Sequence, residues 1–92
     1  RRGKVLSAIS IKGEQAEVME ALALETSDIV DKPLKKISFP KGALVVAIIR
    51  RDKIIIPTGD STVAPDDRII IFATRQAIPK VEKILAVKLE YF

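Results

Sequence analysis

The side chains with chemical reach gather in two short stretches. In "VVAIIRRDKIIIPTGD", Val45 to Asp60, the charged run Arg50, Arg51, Asp52 and Lys53 separates two apolar segments. Guanidinium groups offer forked donors to a phosphate or carboxylate, so one reading is an anion site. The other is a solvated hairpin tip whose charges oppose edge-to-edge association, the simpler account of such a run. "PTGDSTVAPDDR" sets Asp60, Asp66 and Asp67 near one another, which suggests oxygen ligation of a divalent cation. Their spacing is not that of an EF-hand loop, however, and no bidentate Glu closes it. Turn chemistry fits better, with Asp60 and Asp67 expected to accept backbone amides that shape the loop.

Other reactive constellations are missing. Ser7, Ser10, Ser27, Ser38 and Ser61 have no histidine to serve as base, because the chain contains no His, and the absence of Cys removes thiolate nucleophiles and thiolate zinc sites. Its four glycines form neither a dinucleotide fingerprint nor a P-loop. The chain therefore reads as a non-enzyme with no metal site.

What must position these groups is a small domain. At 92 residues the chain is a single domain, 1–92, and buries only about 60–65% of the surface its unfolded form exposes. A hydrophobic fraction of 48% with few aromatics means that Ile, Val, Leu and Ala dominate, and some of that surface is expected to meet a partner. The lack of Cys points to a reducing compartment. Neither "ALVVAII" nor "IIIFA" approaches the roughly 20 residues of a membrane-spanning helix. The start, "RRGKVLSAISIKGEQ", has no signal-peptide core and reads as the continuation of a longer polypeptide. A net charge of +4 is spread along the chain, and Phe39, Phe72, Tyr91 and Phe92 lie far apart, so no nucleic-acid partner is expected.

Alternation in "KVLSAISI", Lys4 to Ile11, predicts a strand, and Gly13 a turn. "EQAEVMEALALE" favours a helix by propensity, although Ala16, Val18, Leu22 and Leu24 also recur with period two. A short helix is predicted after Asp31, with Asp31 as its cap, Pro33 in its first turn, and Leu34 and Ile37 facing inward. "ALVVAIIR", "KIIIP" and "DRIIIFAT" are β-branched strands, the first two forming a hairpin. Gln76 to Ala86 reads as a helix with Ile78, Val81, Ile84 and Leu85 on one face, and "VKLEYF" as a docking extended tail. The expected fold is α+β, an antiparallel sheet with short helices packed on it.

In this order the elements resemble the C-terminal RCK domain, or TrkA-C domain, of potassium-transport regulators. The resemblance rests on "SDIVDKPLKKISFPKGALVVAIIRRDKIIIPTGDSTVAPDDRIIIF" and covers residues 14–86, and both flanks are similar to TrkA-like members. It implies a strand, not a helix, within Glu14 to Glu25. It differs at two places where the family usually has Gly: Asp31, before the short helix, and Asp52–Lys53, near the hairpin tip. Asp tolerates the left-handed backbone such turns need.

The resemblance further implies a cytoplasmic, peripheral regulatory domain of a Trk-type potassium transport system. Its partners would be a membrane channel or transporter subunit, a Rossmann-type RCK half elsewhere in the polypeptide, and a second copy of itself. No cofactor is expected in this fragment; a regulatory ligand, where one binds, would be a cyclic dinucleotide or another anionic small molecule. Its expected contacts are Ile29, Val30, Lys36, Lys41, Arg50, Arg51 and Pro57, in a groove between two subunits. In the final strand Ile69 and Ile71 share one face and Ile70 and Phe72 the other, and Ile69 and Ile71 are assigned to the homodimer interface. The alternatives are the same module in another ion or carboxylate transporter or antiporter, and a pure oligomerisation domain without ligand.

Overall fold

The β-branched segments all become strands. The computed structural model describes residues 5–86. It contains β1 (Val5–Ile11), β2 (Ala16–Leu22), a 3₁₀ turn at Leu34–Lys36, β3 (Ala43–Arg50), β4 (Lys53–Ile55), β5 (Arg68–Thr74) and the helix α1 (Ile78–Leu85). The strands form one five-stranded sheet of order β1-β2-β5-β3-β4, with every neighbouring pair antiparallel. The expected start of β1 at Lys4 and the terminal "VKLEYF" lie outside the described residues. No helix among the described residues is long and apolar enough to cross a membrane.

β2 forms where helix propensity favours a helix, as the resemblance implies. Its seven residues all pair with β5 on one side, and Ala16 to Ala21 pair with β1 on the other. Met19 and Ala21 thereby lie opposite Ile71 and Ile69 and are fully buried with them. Tertiary pairing overrides a weak local preference.

The main core cluster lies on one face of the sheet. Met19, Ile48, Ile69, Ile71, Val81 and Leu85 belong to a cluster that also takes in Ile29, Val30 and Val63 from the connections. Helix α1 presents Val81 and Leu85 to it, with Ile78 and Ile84 at its margin, as their spacing predicts. Ile69 and Ile71 are 0% exposed inside the protomer's own core, which corrects their assignment to a subunit interface. The apolar side chains that remain partly accessible on β5 are their neighbours Ile70 and Phe72.

The crossover from β2 to β3 is irregular but held down. Its residues 30–35 run beside residues 59–63, with Asp31, Leu34 and Lys35 donating their amides to the carbonyls of Val63, Ser61 and Gly59 at 2.9–3.0 Å. The predicted short helix is only a 3₁₀ turn, with Pro33 at its N-cap position and no side-chain cap. Asp31 does not cap it, because Pro33 holds the N-cap position two residues later, while Asp31 is left-handed at φ 69° and donates its amide to Val63. That conformation is the one glycine would favour, and Asp adopts it at modest cost. Leu34 and Ile37 pack against the core as predicted.

Candidate functional site

Register decides what Arg50 does. Ile49 pairs with Arg68 across β3 and β5, so Arg50 and Asp67 form the next cross-strand position. The guanidinium grips the carboxylate twice: Nε donates to Oδ1 at 3.0 Å and Nη2 to Oδ2 at 2.7 Å. Oδ2 also accepts the Ala64 amide at 2.8 Å, and Nη2 donates to the Thr62 carbonyl at 3.2 Å. Asp67 is 3% exposed. Burial pushes its carboxyl up, but the hydrogen bonds from Arg50 and Ala64 outweigh it and hold the group below the usual carboxylate range. Arg50 is raised by the same hydrogen bond. The pair clamps the 58–67 loop to the sheet and commits part of the Arg50 guanidinium to Asp67, while the Arg50 side chain stays 41% exposed.

Arg51, its neighbour, sits at the exposed hairpin tip with φ 56°. The left-handed residue is thus Arg51 and not Asp52, one position earlier than the family comparison suggested. The two-residue turn follows from the Arg50–Lys53 pairing.

A groove lies where β4 stops short. β4 pairs only with Ile48, Ile49 and Arg50, leaving the first half of β3 without a neighbour on that side. Between β3 and the segment after β4 a cavity of about 300 Å³ opens, lined by Leu34, Phe39, Leu44, Val45 and Pro57 with Lys35 at its border. Lys35 reaches across to Asp60 at 2.6 Å. The floor at Thr58–Asp60 is shaped by hydroxyls. Ser61 Oγ accepts the Thr58 amide and Thr58 Oγ1 accepts the Asp60 amide, where Asp60 itself was expected to act as acceptor.

Of the predicted ligand residues, only Pro57 lines this groove. Ile29 is fully buried in the core and Val30 nearly so, at 6% exposed. Lys36 faces a separate hollow with Lys32 and Ser38, because the 3₁₀ turn points it away from Lys35. Lys41 is exposed in the turn before β3, and Arg50 and Arg51 border a depression at the hairpin tip. Leu34, Lys35, Phe39 and Leu44 were missed. Their signal was available in part, since the apolar Leu44 falls on the non-core side of a strand. Among the described residues no group of three or more His, Cys, Asp or Glu is placed to hold a metal ion.

The described residues thus form a one-layer α+β sheet with a helix on one side and an apolar groove at one edge. Comparison with known proteins agrees and is more specific: the family model described as TrkA-C domain matches residues 18–86. "Trk system potassium uptake protein TrkA homolog 2" of Methanosarcina mazei is 47% identical over 83 residues, 89% of this chain and 18% of that protein. "Trk system potassium uptake protein TrkA" of Azorhizobium caulinodans is 38% identical over 92 residues, 100% of this chain and 20% of that protein. A TrkA homolog of Pyrococcus abyssi is 32% identical over 78 residues, 84% of this chain and 34% of that protein. The chain belongs to the TrkA-C domain family. It spans between 18% and 34% of the length of these relatives.

Proposed function

We propose that this chain is the dimerising, ligand-sensing regulatory domain of a Trk-type potassium uptake system, acting at the cytoplasmic face of the membrane beside a transporter subunit. The observation that carries this reading is the TrkA-C match across residues 18–86 in relatives named as potassium uptake proteins. The rest of such a polypeptide, including a Rossmann-type half, would supply nucleotide binding. This domain would convert ligand occupancy into a change of subunit geometry, which requires two arrangements of unequal affinity for the ligand.

The groove supports the sensing part. At about 300 Å³ it is at the lower limit for a small-molecule site, and Leu34, Phe39, Leu44 and Pro57 give it the apolar walls such sites have. Lys35 supplies a cation at its border, where an anionic ligand could exchange with Asp60. Two such half-sites brought together would suit a cyclic dinucleotide or another anionic small molecule.

The test has two arms. In cells lacking their own TrkA, the full polypeptide should restore rubidium uptake, and deletion of this domain should abolish its regulation; uptake regulated equally well without the domain overturns the proposal. Calorimetric titration with cyclic dinucleotides and other anionic nucleotides should give binding that weakens at least about tenfold in Lys35→Ala together with Phe39→Ala. No binding by a dimer that still forms favours the pure assembly reading.

A further inference from the structure

One proline ends the pairing of β4 and leaves a gap in the sheet. The two-residue turn makes Arg50 and Lys53 a hydrogen-bonded pair, and Ile48 with Ile55 is the next such pair along the hairpin. The following position of that kind is Pro57, which has no N–H to donate. The chain leaves the sheet there, and no described strand fills the lane beside the first half of β3.

The register says which β3 groups face this lane. Thr74 donates its amide to the Gly42 carbonyl at 2.9 Å, one position before the Ala43–Ala73 pair, so Gly42 and Leu44 turn their backbone groups toward β5. Ala43 and Val45 turn theirs outward. Counting back from Ile48 gives the same result, because the bulge between Val45 and Ala47 shifts the alternation by one residue. The Ala43 amide is taken by the Pro40 carbonyl at 3.2 Å. That leaves the Ala43 carbonyl and, about 6.8 Å along the strand, both the N–H and the C=O of Val45. Among the described residues none pairs with Val45 on this side.

We propose that this groove accepts an extended segment of a partner protein as an added strand, with an apolar residue opposite Val45 and an acidic residue two positions away. Such a segment is a different occupant from the small molecule considered above, shares its walls and excludes it.

Three observations favour this occupant. The first is the backbone pattern. A residue lying opposite Val45 exchanges two hydrogen bonds with it, and the residue two further on reaches the Ala43 carbonyl, a repeat that any extended polypeptide carries. The second is the pocket. Val45 lies opposite Ile71, on the core side of the sheet, so a side chain opposite Val45 points toward Leu34 and Phe39 in the cavity of about 300 Å³. The third is charge. Lys35 stands at the border with its side chain 58% exposed beside Asp60, and the chain as a whole carries +4, which favours an acidic segment over a basic one.

The probe is a five-residue peptide with blocked ends: a central valine, a threonine on each side of it and a glutamate at each end. Titrated into the isotope-labelled chain and followed by NMR, it should give saturable shifts centred on the Val45 amide, with a dissociation constant below about 1 mM. N-methylation of the central valine removes the donor to the Val45 carbonyl without touching a side chain, and should weaken binding at least about tenfold. Lysine in place of both glutamates should weaken it about threefold. All three peptides meet the unaltered chain, so no folding defect enters the comparison. No saturation by about 5 mM, equal binding of the N-methylated peptide, or shifts centred on β1 instead of Val45 overturns the added strand. Cyclic dinucleotide binding that persists in those cases leaves the small-molecule reading standing while this one fails. A Val45 amide that becomes protected from exchange as the chain alone is concentrated gives the lane to a second copy and overturns the partner segment.

Discussion

The two faces of the sheet are built from the same strands and nearly the same residue types, yet the chain's own elements cover one and, among the described residues, leave the other open. Ile71 is fully buried beneath α1 and Phe72, the next residue, belongs to the open side. Hydrophobicity alone therefore does not say whether a residue is enclosed by the fold or left on its surface. What separates them is whether an element of the same chain lies over them. The largest expected effect follows from that difference. Ile71→Ala removes a side chain from the centre of the core and should cost about 3–4 kcal/mol in urea unfolding at low protein concentration. Ile54→Ala, on the open side and 71% exposed, should stay within about 0.5 kcal/mol under the same conditions. Equal costs would mean that the open face is already packed in the protomer, and the contrast between the faces would collapse.

A smaller effect is expected where β3 and β5 end in the Arg50–Asp67 clamp. Asp67→Ala removes charge-assisted hydrogen bonds and the acceptor of the Ala64 amide, for a loss of about 2 kcal/mol, part of the guanidinium being in water. The clamp also predicts a pH dependence with a definite sign. The Asp67 carboxyl is held below its unfolded value, so its contribution is complete above about pH 4 and is lost as the pH falls through the folded value. Urea midpoints of the wild type and Asp67→Asn should therefore converge as the buffer is taken from pH 7 to pH 3. A gap that stays constant over that range would remove the ionised clamp from the account.

These contrasts also show what was legible in the sequence. Strand positions, the hairpin and α1 followed from β-branched runs, turn residues and a helical stripe, because those signals are local. The β2 strand needed the family resemblance, since its Ala, Glu, Met and Leu favour a helix until β1 and β5 pair with it. Candidate site residues were legible only as residue types. Arg50 and Asp67 each stood out, but the contact between them depends on the register of two strands separated in the chain by the whole 51–67 segment. Ile29 and Val30 looked like pocket walls because nothing local distinguishes an apolar residue in a connection that dives into the core from one that stops at its rim. Lys36 is among the expected contacts and Lys35 is not, since a 3₁₀ turn sends adjacent lysines in different directions and sequence does not say which faces the groove.

The ion pair at the groove should matter less to stability. Lys35 and Asp60 meet at 2.6 Å but both are largely in water, so Lys35→Gln should change stability by under about 1 kcal/mol. Its effect belongs instead in ligand affinity. A Lys35→Gln chain that melts like the wild type and binds an anionic ligand with unchanged strength would take the cation out of the proposed site.

Arg51 gives the smallest effect and the most pointed one. It occupies a left-handed backbone position, φ 56°, at the first residue of a two-residue hairpin turn, where glycine is favoured. A side chain there costs about 1 kcal/mol, and glycine returns somewhat less than that because it is freer in the unfolded chain. Arg51→Gly should therefore raise stability by only about 0.5 kcal/mol, measurable as a small upward shift of the urea midpoint with an unchanged slope. The neighbouring Arg50→Gly should do the reverse, losing the clamp and lowering the midpoint by several times as much. Two adjacent arginines with opposite signs of effect would show that the first is part of the sheet's architecture and that the second costs the fold stability. A loss of stability in Arg51→Gly would instead mean that its side chain makes a contact holding the tip in place.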